Sequence, residues 1–463
     1  MAAKPCALVE SNVTKIVLGR SEERLKRSVH LIDVVMLGAG SALGVSIFSV
    51  LSPAAAIGGS GILLTIGISA LPMAIFALAY SFLASAVPRS GASFEWPFEF
   101  IHPLAGYLVS WLRILGQVGQ MVMVTGVLIH YVSMVVALPL KMTMFLLFAA
   151  VFTLNFIGVT VVARTQTVMM IVLISVFAIY VATGLPHVDP SRIYPLAAHG
   201  IWPILLAAPL MVNLFMGIEA ATEIGEEVRN AERSVPLAIA ISLLLIAIVY
   251  FSVTFVTLGL LGPTRLGQSD APLVDAARLS IGSLAIPLIL GAATVSLLKS
   301  LNASFLIFSR SLFAMGRAGV LPRILGTSEP VRGTPRWAVS IAFVCLCFGL
   351  FLPNSLIFLF LASNIPTILK YLSTCCCVIS VVGFHQETYA SARFRPRKPL
   401  LVVIAAIGVL MAIGLFVLGY ESDWRPYALV GVWGLVGLIY WFGWRRSRFY
   451  ALGSNASSLR IET

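Results

Sequence analysis

Twelve stretches of this 463-residue sequence are each long and apolar enough to cross roughly 30 Å of hydrocarbon: 31–52, 60–87, 103–133, 141–158, 165–186, 201–224, 236–262, 284–309, 337–353, 355–383, 399–420 and 425–444. The composition agrees, with 59% of residues hydrophobic and 11% charged, too little polar surface to cover a soluble globule of this length. The expected architecture is an all-α membrane domain of twelve transmembrane helices. No separate domain is expected at either end. Residues 1–30 are too few to build a core, and the tail 445–463 is short and polar. TKIVLGRSEERLKRSVHLIDVV, residues 14–35, reads as a solvated charged tail in preference to an amphipathic interfacial helix. A long charged region precedes the first apolar run, which continues into a full span, so no cleavable signal peptide is expected.

A net charge of +12 first suggests an anionic partner, but its distribution says otherwise. With the N-terminus placed inside, all but eight of the 31 Lys and Arg fall in the tails and inner loops. Lys141, Arg192, Arg265, Arg278 and Arg425 lie outside, and Arg113, Lys299 and Lys370 fall within apolar runs. Such an excess predicts a multi-pass protein of the cell (plasma or inner) membrane with both termini in the cytoplasm, and it leaves nucleic acid no part as a partner. Five of the six cysteines, Cys345, Cys347, Cys375, Cys376 and Cys377, lie in predicted spans, and Cys6 lies in the tail. Adjacent positions on a helix point in different directions, so the Cys375–Cys377 run reads as small packing residues and not as a metal site.

The sixth run is interrupted by charge. In LFMGIEAATEIGEEVRNAERSVPLAI, residues 214–239, Glu219 and Glu223 stand one helical turn apart. A carboxylate at the centre of a membrane helix costs roughly 2.5–3.5 kcal/mol, so each needs a partner, a proton or water. The same run carries Gly217 and Gly225, and the first run, LGAGSALGVSIFSV, carries Gly38, Gly40 and Gly44. Glycine-interrupted helices at the start of each five-helix half point to an inverted-repeat transporter with a midplane site, where freed backbone N–H groups hold an anion and freed carbonyls a cation. The competing reading is that these glycines only let helices pack closely.

Three stretches carry a family resemblance: GSALGVSIF at 40–48, EEVRNAERSVPLAI at 226–239 and SRSLFAMGRAGVLP at 309–322. Across residues 31–445 the chain resembles the amino acid, polyamine and organocation transporter superfamily. The resemblance implies a leucine-transporter-like fold: two inverted five-helix repeats, 31–186 and 201–383, with two further helices over 399–444. It implies alternating access to a substrate held between unwound first and sixth helices. Gly40, Ser41, Gly44 and Val45 would line a carboxylate pocket, Phe215, Gly217 and Ile218 the unwound sixth helix, and Glu219 an acidic position shared with several relatives. Ser300 and Asn302 match polar positions facing the site where sodium-coupled relatives hold their ion. The sequence departs from the pattern where a Gly-Ser-Gly becomes Gly44, Val45, Ser46, where Ala231 replaces a turn proline, and where Leu173 stands in place of a fifth-helix lysine.

Lys299, near the middle of the eighth run, is a candidate internal cation or proton carrier, with Glu219 or Glu223 as counter-ion. The alternative is a structural ion pair between helices. Arg113 is expected in the cytoplasmic third of its helix, snorkelling or paired locally. Lys370, beyond Pro366, could reach a cavity and, with Lys299, neutralise these carboxylates to leave a pocket for a neutral solute, whereas His130, near an outer interface, receives no role. There is no G-x-x-x-x-G-K-[ST], no H-E-x-x-H and no nucleophile with a base beside it, so neither an enzyme, a cofactor nor a metal is expected. The expected function is secondary active transport of an amino acid or related amine, independent of sodium and either proton-coupled or an exchanger. The alternatives are a substrate-binding receptor on the same fold, and a polyamine or organocation exporter.

Overall fold

The computed structural model describes residues 27–445 apart from 45, 134–135, 137, 198–199, 330–332, 353–355 and 423. Val45, Cys6, most of 14–35 and the final tail lie outside the described residues. The helices are α1 Leu31–Ala42, α2 Leu51–Gly58, α3 Ile62–Ala86, α4 Ala92–Phe100, α5 Pro103–Ser133, α6 Leu140–Ile157, α7 Val159–Gly184, α8 Trp202–Val212, α9 Ala231–Gln268, α10 Pro272–Ile281, α11 Ala285–Arg317, α12 Arg336–Gly349, α13 Leu356–Phe384, α14 Lys398–Ser422 and α15 Arg425–Tyr440. Among the described residues there is no strand; two isolated bridges join Val29 to Val228 and Ser90 to Ile224. Among the described residues, ten spans are long and apolar enough to cross a membrane. The runs 201–224 and 337–353 carry the shorter helices α8 and α12.

Two helices stop where the sequence places its glycines. Beyond α1, Leu43 turns to ψ 72°, outside the helical region, although its N–H still reaches the carbonyl of Ala39. Beyond α8 the chain turns through residues 213–217, and Gly217 takes φ +112°, which a side-chain-bearing residue rarely adopts. The chain then continues as 3-10 turns, Ile218–Glu223 and Gly225–Glu227, where an α-helix interrupted by glycine was expected. The two breaks abut. A β-carbon on Gly217 would stand 2.9 Å from the Ser41 carbonyl carbon, and Ser46 Oγ donates to the Asn213 carbonyl at 3.3 Å.

The first-run glycines divide into two kinds. Gly44 lies in the break itself, with its absent β-carbon position 2.7 Å from Ser300 Oγ. Gly38 and Gly40 lie in regular helix and serve close packing, against Ser242 and Gln166 respectively. Ser242 Oγ donates to the Val35 carbonyl at 2.9 Å and Tyr250 to that of Ala42 at 2.8 Å, tying α1 to α9.

Apolar side chains gather into two cores. One joins α1, α3, α7 and α9; the other joins α5, α6, α12 and the second half of α11. Burying these faces leaves polar residues of α5, α11 and α13 to meet the two broken segments in the space between. Cys375 fits the packing expectation: its Sγ lies 2.6 Å from where a Gly408 β-carbon would stand, seating α13 on α14.

Candidate functional site

Between the cores lies a polar cavity of about 110 Å³. Its walls come from the first break (Ser41, Gly44, Ser46), the sixth segment (Asn213, Gly217, Glu219, Glu223), α5 (Arg113, Gln117, Gln120), α11 (Ser300, Ser304) and α13 (Ser363, Asn364, Lys370). A polar space among apolar cores, built on two interrupted helices, is where irregular backbone is tolerated at membrane depth.

Both carboxylates in the cavity are paired. Lys370 Nζ donates to Glu219 Oε1 and stands 5.0 Å from the Tyr371 ring centroid and 5.7 Å from that of Tyr80. The other oxygen of Glu219 accepts from the Gly217 N–H at 3.0 Å, so the break that removes a helical hydrogen bond supplies a donor to the charge. Glu223 Oε1 accepts from Arg113 Nη1 at 3.1 Å and from Ser93 Oγ, and Oε2 accepts from the Ser93 N–H at 3.5 Å. Buried pairs hold only when further hydrogen bonds satisfy their remaining lone pairs, and these additional donors meet that requirement.

Lys299 is fully buried and corrects the expected pairing. Its ammonium donates to the carbonyls of Gly40 and Leu43, at the end of α1, and among the described residues no carboxylate pairs with it. The Leu43 carbonyl also accepts from Ser296 Oγ at 3.0 Å. A helix C-terminus leaves carbonyls unpaired and carries partial negative charge, so it holds a cation without a counter-ion. Glu219 is taken by Lys370, the second lysine expected to be able to neutralise it, and Glu223 by Arg113, for which only snorkelling or a local pair is expected. The signal that could have found them is a count. Three cations lie within apolar runs, against two carboxylates at the broken sixth helix, which leaves one cation to find carbonyls.

Ser41, Gly44, Gly217, Glu219, Glu223 and Ser300 line the cavity; Gly40, Phe215, Ile218, Lys299 and Asn302 do not. The turn after α8 directs Met216 inward and leaves Phe215 fully buried, edge-on to Tyr250 at 6.0 Å. Ile218 is buried beside α1, its carbonyl 3.0 Å from the β-carbon position of Gly38. Asn302 faces α6 and α7: its Oδ1 accepts from Asn155 at 3.3 Å and its amide donates to the Val162 carbonyl at 3.5 Å.

Beyond Glu223 the chain enters a cluster of ion pairs. Arg310 makes two bonds to Glu227, at 2.8 and 3.2 Å, and Arg317 joins Glu226 and Glu95, each at 2.7 Å. The same strip is stitched by backbone: Ser28 and Val29 donate to the Glu227 carbonyl, and Gly91 to that of Glu223, all at 3.0 Å. Glu227 is 1% exposed, so it does not face water as an acid near a helix end would. The stretches EEVRNAERSVPLAI and SRSLFAMGRAGVLP, 83 residues apart at Glu227 and Arg310, are two halves of one contact. A second, more apolar cavity of about 610 Å³, lined by Phe48, Tyr131, His130 and Asp270 and hereafter the vestibule, shares Met123 with the polar cavity.

Comparison with known proteins adds an independent line. The sequence model of a family described as amino acid permease matches residues 33–445. An uncharacterized transporter of Mycobacterium tuberculosis is 32% identical over 66% of this chain and 70% of its own length. A branched-chain amino acid permease of Bacillus subtilis is 26% identical over 92% of this chain and 94% of its own. A low-affinity putrescine importer of Escherichia coli is 22% identical, covering 91% and 94%.

Proposed function

The chain belongs to the amino acid permease family and is a multi-pass membrane transporter of amino acids or amines, not an enzyme; from that premise we propose that it is a secondary active transporter working by alternating access. The observation that carries this reading is the neutralised polar cavity at the meeting of two broken segments. Twelve membrane helices, arranged as inverted repeats over 31–186 and 201–383 with two added helices over 399–444, account for breaks at matched positions. The excess of Lys and Arg on inner loops sets both termini in the cytoplasm of the cell membrane. On that topology the Glu227–Arg310 and Glu226–Arg317 pairs shut the cytoplasmic side and the vestibule faces outward. Inward opening then requires these pairs to part.

Lys299 fills the carbonyl site at the end of α1 with a resident ammonium, which supports transport independent of sodium. Glu219 and Lys370 form the movable charge pair of the cavity. Removing one partner alone would strand the other, so the informative variant removes both charges, Glu219→Gln with Lys370→Met. The expected result is uptake at least tenfold lower in proteoliposomes, at equal reconstituted protein and with a sharp gel-filtration peak. Uptake equal to wild type would reduce the pair to scaffold.

A further inference from the structure

We infer that the groove between α3 and α9 binds a phospholipid whose headgroup carries net negative charge, with an acyl chain along the groove and the phosphate held by Arg233 and Arg393. The groove is a hollow of about 520 Å³ in which Ala77, Leu78 and Ser81 of α3 face Pro236, Leu237 and Ala240 of α9. It opens at the protein surface, where Leu78 is 37% and Leu237 41% exposed. The short side chains at Ala77 and Ala240 leave space that the two helices do not fill themselves. Its walls are mostly apolar, so water finds few partners there, and unfilled space forfeits packing contacts. In a bilayer the filler at hand is a lipid chain.

The charged end of the groove supplies the second observation. Arg233 comes from the first turn of α9 and Arg393 from the loop after α13, and both line the hollow with exposed side chains. Neither guanidinium makes a hydrogen bond or an ion pair among the described residues. Other cations of that loop are engaged: Arg395 Nη1 donates to the Ala390 carbonyl at 3.0 Å, and Lys398 Nζ donates to Gln386 Oε1. The loop itself is held in place. The Phe394 N–H donates to Ser85 Oγ of α3 at 2.7 Å, Tyr389 donates to the Pro396 carbonyl at 2.9 Å, and Ala392 is buried. Arg393 is thereby set against the groove by α3 itself. A guanidinium presents a planar fork that matches phosphate oxygens through two parallel bonds, and here two such forks from different elements border one apolar hollow.

The charge balance selects the headgroup. Glu232 lines the same hollow, so its two arginines and one carboxylate leave one positive charge in excess. A headgroup with a single negative charge cancels that excess, whereas a neutral zwitterion leaves it standing. Basic pockets between membrane helices on the cytoplasmic side suit anionic headgroups, and on the topology proposed above this end of the groove lies in that leaflet. A soluble phosphate would engage the arginines and leave the apolar hollow unfilled, so charge and groove together select a lipid.

The test offers the full-length protein, purified in detergent, equal amounts of phosphatidylglycerol, phosphatidylethanolamine and phosphatidylcholine with identical chains, and reads the retained lipid by native mass spectrometry. Phosphatidylglycerol is expected at least fivefold above either of the others. Arg233→Gln with Arg393→Gln should bring that ratio below twofold; neither guanidinium has a partner among the described residues, so the fold loses no ion pair. Ala240→Trp, which fills the groove and leaves both arginines in place, should lower retained phosphatidylglycerol at least fivefold. Arg395→Gln with Arg397→Gln, on the same loop but off the groove, should leave the ratio unchanged. Equal retention of the three lipids would overturn the inference, as would a preference that survives the Arg233 and Arg393 changes or retention that survives Ala240→Trp. Loss of the preference in the Arg395 and Arg397 variant would replace the site with a general basic surface. Displacement of phosphatidylglycerol by excess glycerol phosphate would overturn it as well, in favour of a site for a soluble anion.

Discussion

Lys299→Ala is expected to reduce uptake below about a tenth of wild type while the protein still inserts and folds. The ammonium holds the carbonyls of Gly40 and Leu43 at the point where α1 breaks. A hydrogen bond to a charged group is worth about 1.5–3 kcal/mol, and buried carbonyls left without a donor add a desolvation penalty. Unlike a bound metal ion, the Lys299 side chain is covalently tethered to α11 and cannot dissociate. Replacing sodium by choline should therefore leave wild-type flux unchanged. In the Ala variant sodium has a vacated carbonyl site to occupy, and partial rescue by sodium is the expected signature. Uptake like that of wild type in Lys299→Ala, at matched protein, would remove this residue from the mechanism.

Arg310→Ala is expected to be the most destabilising substitution of a single charge, at about 3–5 kcal/mol, because it leaves Glu227 buried without its cation. Glu227 is 1% exposed and Arg310 fully buried, so water cannot replace the lost partner. Removing both, Arg310→Ala with Glu227→Ala, should be less destabilising than the sum of the two single changes. Thermal melts of the four purified proteins measure that coupling, and strict additivity would show that the pair carries no interaction of its own. On the proposed topology, the double variant should also admit thiol reagents from the cytoplasmic side to a cysteine placed at Ser304, a cavity position.

Much of the fold was legible because the bilayer imposes a strong constraint: twelve apolar runs were readable by length, and ten of them correspond to spans of membrane-crossing length. The breaks were readable too, because glycine at Gly44 and Gly217 interrupts otherwise apolar helix. Side-chain partners were harder. Glu219 and Lys370 are 151 residues apart, and nothing in linear order says which cation meets which acid. Lys299 stands beside the polar Ser300 and Asn302 in the sequence, but its partners are the backbone carbonyls of Gly40 and Leu43, which residue type does not reveal. Phe215 and Ile218 stand off the cavity for a related reason. Beyond α8 the chain leaves α periodicity for a turn and 3-10 geometry, so the face presented to the cavity shifts by one residue to Met216. The two motifs around Glu227 and Arg310 were recognisable as patterns, but only the fold reveals that they bind each other.

On the proposed mechanism, a solute crosses the membrane through the cavity between the two broken segments. Counterflow measures this most directly: proteoliposomes preloaded with an unlabelled small amino acid are diluted into a trace of the same compound carrying a radiolabel. The expected result is transient, saturable accumulation of label above its equilibrium level, with sodium absent, and its loss in the Glu219→Gln, Lys370→Met variant. Specific binding of amino acids to the purified protein, with no counterflow for any member of the panel, would contradict it and identify a receptor built on a transporter fold.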